Sequence, residues 1–162
     1  MGIVYTAEEA RLQGFADASW ETRNSTSGWL IKWQSAAVSW GSRKQKSIAL
    51  STCEAEIIAL SEAAKDVVYF RKLVNGLRAP EQGPTQLATD SKSARDVFYN
   101  PEQHDKMKHV ERRHFFVRDM VESFQIEVPH VSTNDNPADF FTKPVKSAAR
   151  FRELRTMIMN DS

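Results

Sequence analysis

The chain has 162 residues, 41% of them hydrophobic, with 22 basic against 21 acidic side chains and a single cysteine. That size and apolar content suit one compact domain with a substantial core. The longest apolar runs fall far short of the ~20 residues that span a bilayer, and the N-terminus lacks a basic region followed by an apolar stretch, so a soluble, non-secreted protein is expected.

Residues 12–20, 28–34 and 36–41 alternate or run apolar, with aromatics at Phe15, Trp20, Trp29, Trp33 and Trp40. Turn-rich residues 23–28 and the pair Gln34-Ser35 separate them, which predicts three strands in a meander. From Ser51 the period changes. Ile57, Leu60, Ala64, Val67, Val68 and Val74 fall near helical spacing until Gly76 and Pro80 end the run. Residues 85–90 read as a short strand feeding a helix at 91–98, which Asn100-Pro101 breaks. A second amphipathic helix is expected over 108–124, with Val110, Phe115, Val117, Val121 and Phe124 as core contacts. Ile126 to Val131 reads as a fifth strand, Asn136-Pro137 as the start of a helix, and about 146–159 as the last helix. This order describes an α/β domain with a mixed five-stranded sheet flanked by helices.

The near-neutral net charge of +1 carries no information about nucleic acid, but local charge does. Arg43, Lys44 and Lys46 form one basic cluster. Lys106, Lys108, Arg112, Arg113 and Arg118 form a second, and Lys143, Lys146, Arg150, Arg152 and Arg155 a third. Such runs are commonly solvated faces; arranged around an acidic centre they suit a polyanion. Cys53 can form no internal disulfide and no thiolate-rich metal site, and is expected to be buried and inert.

Four acids stand at the edges of expected elements. Asp17 lies within the first strand, where an ionised carboxylate is costly unless paired, metal-bound or turned to solvent. Ser51 followed three residues later by Glu54 matches a capping box, which gives Glu54 a structural task and leaves Glu56 as the better ligand candidate. Asp90 ends a strand, where it could cap the next helix or join a ligand site at the strand's C-terminal end. Asp139 falls in the first turn after Asn136-Pro137, where a negative charge favours the helix dipole. His104, His109 and His114 lie in a basic amphipathic segment, and five residues from His109 to His114 is not the four that aligns zinc ligands on a helix. Packing or phosphate contact is expected of them.

The chain resembles the ribonuclease H domain of copia-type LTR retrotransposon Pol polyproteins over nearly its whole length. The resemblance is carried by Gly14-Phe15-Ala16-Asp17-Ala18-Ser19-Trp20, Ser25-Thr26-Ser27-Gly28-Trp29, Val38-Ser39-Trp40-Gly41-Ser42-Arg43-Lys44-Gln45 and Ala49-Leu50-Ser51-Thr52-Cys53-Glu54-Ala55-Glu56. Lys108-His109-Val110, His114-Phe115 and Ala138-Asp139-Phe140-Phe141-Thr142-Lys143-Pro144 complete it. It implies a single ribonuclease H domain over 1–162, with residues 1–11 as a connector from a reverse transcriptase and 145–162 as a C-terminal helical extension.

The resemblance also implies an endoribonuclease that hydrolyses the RNA strand of RNA·DNA hybrids during reverse transcription. Asp17, Glu56, Asp90 and Asp139 would be its catalytic and metal-binding tetrad. Two Mg²⁺ ions about 4 Å apart, with Mn²⁺ as substitute, would be the cofactors. Ser19, Ser51 and Thr52 are expected to contact substrate, and Arg43, Lys44 and Lys46 to grip phosphate. The mobile histidine of cellular ribonucleases H has no counterpart in the loop Ser132-Thr133-Asn134-Asp135, and His130 lies back in the strand. Expected partners are the hybrid and the reverse transcriptase of the same polyprotein, with no membrane. The expected location is the cytoplasm, within virus-like particles, or the nucleus. The alternatives are a catalytically silent domain that binds hybrids or packs on a reverse transcriptase, and another nuclease or transposase of the same fold.

Overall fold

The computed structural model describes residues 11–77, 82–100 and 111–159. Strands β1 (Leu12–Ser19), β2 (Thr26–Trp33) and β3 (Ala36–Lys44) form the expected antiparallel meander. Gln34 takes a left-handed φ of 58° in the tight β2–β3 turn, the backbone sign that such two-residue connections require. Strand β4 (Thr85–Ala88) adds parallel to β1, and β5 (Ile126–Glu127) parallel to β4. The sheet order is β3-β2-β1-β4-β5, so β1 is central and pairs Asp17 with Gly28 of β2.

Helix α1 (Thr52–Gly76) crosses one face of the sheet. Its apolar positions Ile57, Leu60, Ala64 and Val67 are buried with Ala16, Ala18 and Ile31 of the sheet, and Val97 of helix α2 (Lys92–Tyr99) and Val117 of helix α3 (Glu111–Glu122) join the same core. Each fully buried Leu or Ile contributes about 2 kcal/mol, so this stripe holds the helix to the sheet more strongly than any cap. The opposite face is thinner. Phe15, Leu30, Ala37 and Ala88 meet Ala138 of a five-residue 3-10 helix (Pro137–Phe141) and Ile158 of helix α4 (Ala148–Ile158). Lys32 Nζ donates to the Met157 carbonyl at 2.9 Å, which ties α4 to the sheet.

Several expectations need correction. The fifth strand is two residues long, extended only by a bridge between Thr89 and His130; Pro129 has no N–H to continue the ladder. The helix opened by Asn136-Pro137 is a short one of the 3-10 type that ends at Phe141, while the separate last helix, α4, forms as expected and is capped by Ser147. In α3, Val117 and Val121 pack inward as expected, but Phe115 and Phe124 are exposed, and Phe116 and Met120 pack in their place. Positions 116, 117, 120 and 121 share one helical stripe that leaves 115 outside it, and Phe124 lies beyond the helix with a φ of 55°. Cys53 is half-buried, and burial pushes its thiol pKa up, away from reactivity. The connector residues 1–10, Val110, Lys106, Lys108, His104 and His109 lie outside the described residues, as do the side chains of Arg112 and His114.

Candidate metal centre

The first acid is set by the central strand. Asp17 is 2% exposed and packs beneath the 3-10 helix, so the solvent-facing alternative is excluded. The second depends on how α1 begins. Ser51 accepts from the Glu54 N–H at 3.1 Å, and the Glu54 carboxylate accepts from the Leu50 N–H at 2.7 Å. This capping arrangement occupies Glu54 one residue earlier than the usual reciprocal bond. Glu56, two positions on, is 8% exposed and turns to Asp17. The third acid is freed by its neighbour: Ser91, not Asp90, caps α2, accepting from the Ala94 N–H at 3.2 Å.

One oxygen from each of Asp17, Glu56 and Asp90 lies within 4.8 Å of the others. Burial, and after it the neighbouring carboxylates, raise the pKa of both Asp17 and Glu56. Burial foremost, with the charges of Asp17 and Asp90, pushes Glu56 up to about 9, despite a hydrogen bond from the Ala18 backbone. Burial also raises Asp17, opposed by the Thr142 hydroxyl that donates to its Oδ2 and by the Lys143 ammonium.

Asp139 reaches this cluster differently. Its Oδ1 accepts from Lys143 Nζ at 2.8 Å, and the same ammonium stands 3.6 Å from Asp17 Oδ2. Burial alone would lower Lys143, but its hydrogen bond to Asp139 and the surrounding carboxylates outweigh this and hold the pKa above its usual value. Lysine thus links the fourth acid to the first. Sequence reasoning places neither Lys143 nor Thr142 at the centre, although the i, i+4 spacing of Asp139 and Lys143 is an available signal.

The donor set fits a divalent cation. All candidate ligand atoms are carboxylate oxygens, as hard cations such as Mg²⁺ and Mn²⁺ prefer. Glu56 Oε2 is buried with no hydrogen-bond partner, a costly state that a cation would relieve.

The expected substrate contacts are distributed more widely. Ser19 is half-buried at the end of β1, and Ser51 and Thr52 are exposed at the start of α1, Ser51 being engaged as the cap. Lys44 binds Glu21 and the Asn24 carbonyl, while Arg43 lies over the Trp29 ring and 3.7 Å from Glu62. With Lys46 they border a groove of about 130 Å³. Arg113 of α3 closes it, donating to Ser47 Oγ at 2.9 Å. In the sequence Arg113 reads only as part of a basic run, because nothing local shows that α3 returns to this edge. His130 is exposed and bridges Thr89, the residue before Asp90.

The sheet order, the helix on its first face and the position of the acids define a ribonuclease H fold. Ribonuclease H1 from the halophilic archaeon Halobacterium salinarum NRC-1 matches with a TM-score of 0.59 at 18% identity, over 82% of this chain and 94% of that one. LC11-RNase H1 in complex with an RNA/DNA hybrid matches with a TM-score of 0.58 at 15% identity, over 82% and 94%. In sequence, the chain is 37% identical over 147 residues to the retrovirus-related Pol polyprotein from transposon TNT 1-94 of Nicotiana tabacum. That alignment covers 88% of this chain and 11% of the polyprotein, so the chain spans about a tenth of the relative's length. No protein-family model matches the chain. The chain belongs to the ribonuclease H domains of copia-type retrotransposon Pol polyproteins. Among the described residues, no helix is long and apolar enough to cross a membrane.

Proposed function

We propose that this domain is a metal-dependent endoribonuclease that cleaves the RNA strand of RNA·DNA hybrids during retrotransposon reverse transcription. The carrying observation is the convergence of Asp17, Glu56 and Asp90 within 4.8 Å, with Glu56 Oε2 left unpartnered. In this reading Asp17, Glu56, Asp90 and Asp139 hold two Mg²⁺ or Mn²⁺ ions. When bound, these would activate water and stabilise the leaving 3′ oxygen of an in-line displacement.

The chain's own residues prepare that site. Asp17 stands between the two halves, shared by the Glu56–Asp90 cluster and by Lys143. Thr142 and Lys143 steady Asp17 and Asp139 while no divalent cation neutralises them. Low exposure of Asp17 and Glu56 excludes water that would screen their charge. The groove bordered by Arg43, Lys46 and Arg113 supports a phosphate contact remote from the acids, and Ser19 and Thr52 lie where strand and helix ends meet the cluster. Recognition of a hybrid by shape and ribose hydroxyls needs no base-edge readout. The reverse transcriptase of the same polyprotein is the proposed neighbour in the chain, and residues 1–11 the connector to it.

The test is Mg²⁺- or Mn²⁺-dependent cleavage of a labelled RNA·DNA hybrid, beside duplex RNA and duplex DNA, with wild type and Asp90→Asn. RNA-strand cleavage confined to the hybrid and lost in the variant is expected. Hybrid binding without cleavage would leave the silent-domain reading, and preference for duplex DNA the other-nuclease reading. Reversing Lys46 and Arg113 to Glu should weaken hybrid binding and flatten its salt dependence by about one log unit for each phosphate no longer gripped. An unchanged salt slope would remove the groove from the interface.

A further inference from the structure

The acid-bearing 3-10 helix has only five residues, too few to fix its own position through internal hydrogen bonds, yet it carries Asp139. Asn136, immediately before it, is fully buried and uses both ends of its amide. Its Oδ1 accepts from the Ala138 N–H at 3.1 Å, capping the turn, and its Nδ2 donates to the Ala16 carbonyl at 3.0 Å. Ala16 precedes Asp17 in β1, and Asp139 follows Asn136 by three residues, so one side chain joins the backbone beside both acids. A cap alone needs only an acceptor, which Ser, Thr or Asp would supply. Only an amide of this length supplies the acceptor and, at its other end, the donor that Ala16 receives.

The facing strand makes room for the same contact. Gly28, paired with Asp17, lies so close to the turn that a Cβ there would stand 2.9 Å from the Ala138 carbonyl oxygen and 2.6 Å from Thr142 Cγ2. Backbone at that distance has no flexible end to move aside. The turn is therefore seated directly on β2 and pinned to β1.

We propose that Asn136 is a positioning residue that sets the Asp139 carboxylate against Asp17, with Gly28 providing the clearance for it. This rests on the reading of the acids as a metal centre. Asn136→Ser keeps an uncharged cap acceptor and removes the clamp to Ala16. Its effect is read by Mn²⁺ calorimetry, and by the Mg²⁺ dependence of hybrid cleavage in wild type, Asn136→Ser, Asp139→Asn and the double variant. The Asp17–Glu56–Asp90 half should bind Mn²⁺ as in wild type, while Asn136→Ser requires about tenfold more Mg²⁺ for half-maximal cleavage. The double variant should be no worse than Asp139→Asn alone, since both changes act through one carboxylate. A purely structural loss would instead multiply with that of Asp139→Asn, and this result, or a wild-type Mg²⁺ dependence in Asn136→Ser, overturns the proposal. If Asn136→Ser does not fold, Gly28→Ala decides: it leaves the amide in place and lifts the turn, so it must reproduce the raised Mg²⁺ requirement or the proposal fails. A wild-type protein that neither binds Mn²⁺ nor cleaves would overturn the metal-centre reading itself, and this proposal with it.

Discussion

The two halves of the acidic site are built on opposite principles. Asp17, Glu56 and Asp90 stand on β1, on α1 and just after β4, elements locked together by the larger core, and they converge with Lys143 only at their edge, 3.6 Å from Asp17. Asp139 stands on a five-residue turn over the thinner core, and a lysine from just beyond that turn already neutralises it. In the first half, packing energy holds three carboxyl groups together, the arrangement on which the proposed cation site rests. In the second, local hydrogen bonds hold the acid in place, and any incoming cation must compete with Lys143.

Breaking the first half should have the largest effect. A bound metal supplies several kcal/mol of transition-state stabilisation, so Asp90→Asn is expected to lower hybrid cleavage about a thousandfold and to abolish stabilisation by Mn²⁺ in thermal melts. Asp139→Asn should cost less, about ten- to a hundredfold, and leave Mn²⁺ binding at the first half measurable by calorimetry. Equal losses of Mn²⁺ binding in both variants would erase the distinction between the halves. Lys143→Met sharpens it further. Removing the ammonium beside Asp17 and Asp139 should tighten Mn²⁺ binding several-fold, a modest gain because the lysine is half-exposed and partly screened. Unchanged or weaker binding would show that Lys143 is no competitor.

The smallest expected effect concerns pH. The Glu56 carboxyl is raised from 4.5 to about 9 in the fold, so the folded state holds a proton that the unfolded chain releases. Its contribution to stability is complete below about 4.5 and is lost progressively as pH rises towards about 9, at up to about 1.4 kcal/mol per pH unit. Glu56→Gln, which has no proton to lose, should flatten that decline in the metal-free protein. At pH 8 it should raise the melting temperature of the metal-free protein, while saturating Mg²⁺ stabilises the wild type more than the variant. A melting temperature for Glu56→Gln below wild type at pH 8 would show that the carboxylates are not in conflict.

Much of this was legible in the chain. The alternation in residues 12–41 and the helical period after Ser51 defined the sheet and α1, because burial on one face imposes a period of two or 3.6 on the sequence itself. The capping pattern at Ser51 separated Glu54 from Glu56, since both partners of that contact lie within four residues. The inward stripe of α3 was misassigned at Phe115 and Phe124, because an aromatic's side of a helix depends on a phase that one residue can shift. Four acids in order could be noticed but not measured: by local pattern Asp90 was as good a cap for α2 as Ser91, which takes that role in the fold.

The sequence by itself determined the element order, the family motifs and which acids were free of local duties, all properties of neighbours in the chain. The tertiary structure alone decided what crosses long separations: that Asp17 is buried, that Glu56 Oε2 is unpartnered, that Arg113 closes the groove begun by Arg43, and that Asn136 reaches Ala16. Those contacts follow from how the two cores stack on a central strand, and a linear pattern has no term for the distance between residues that the fold brings together.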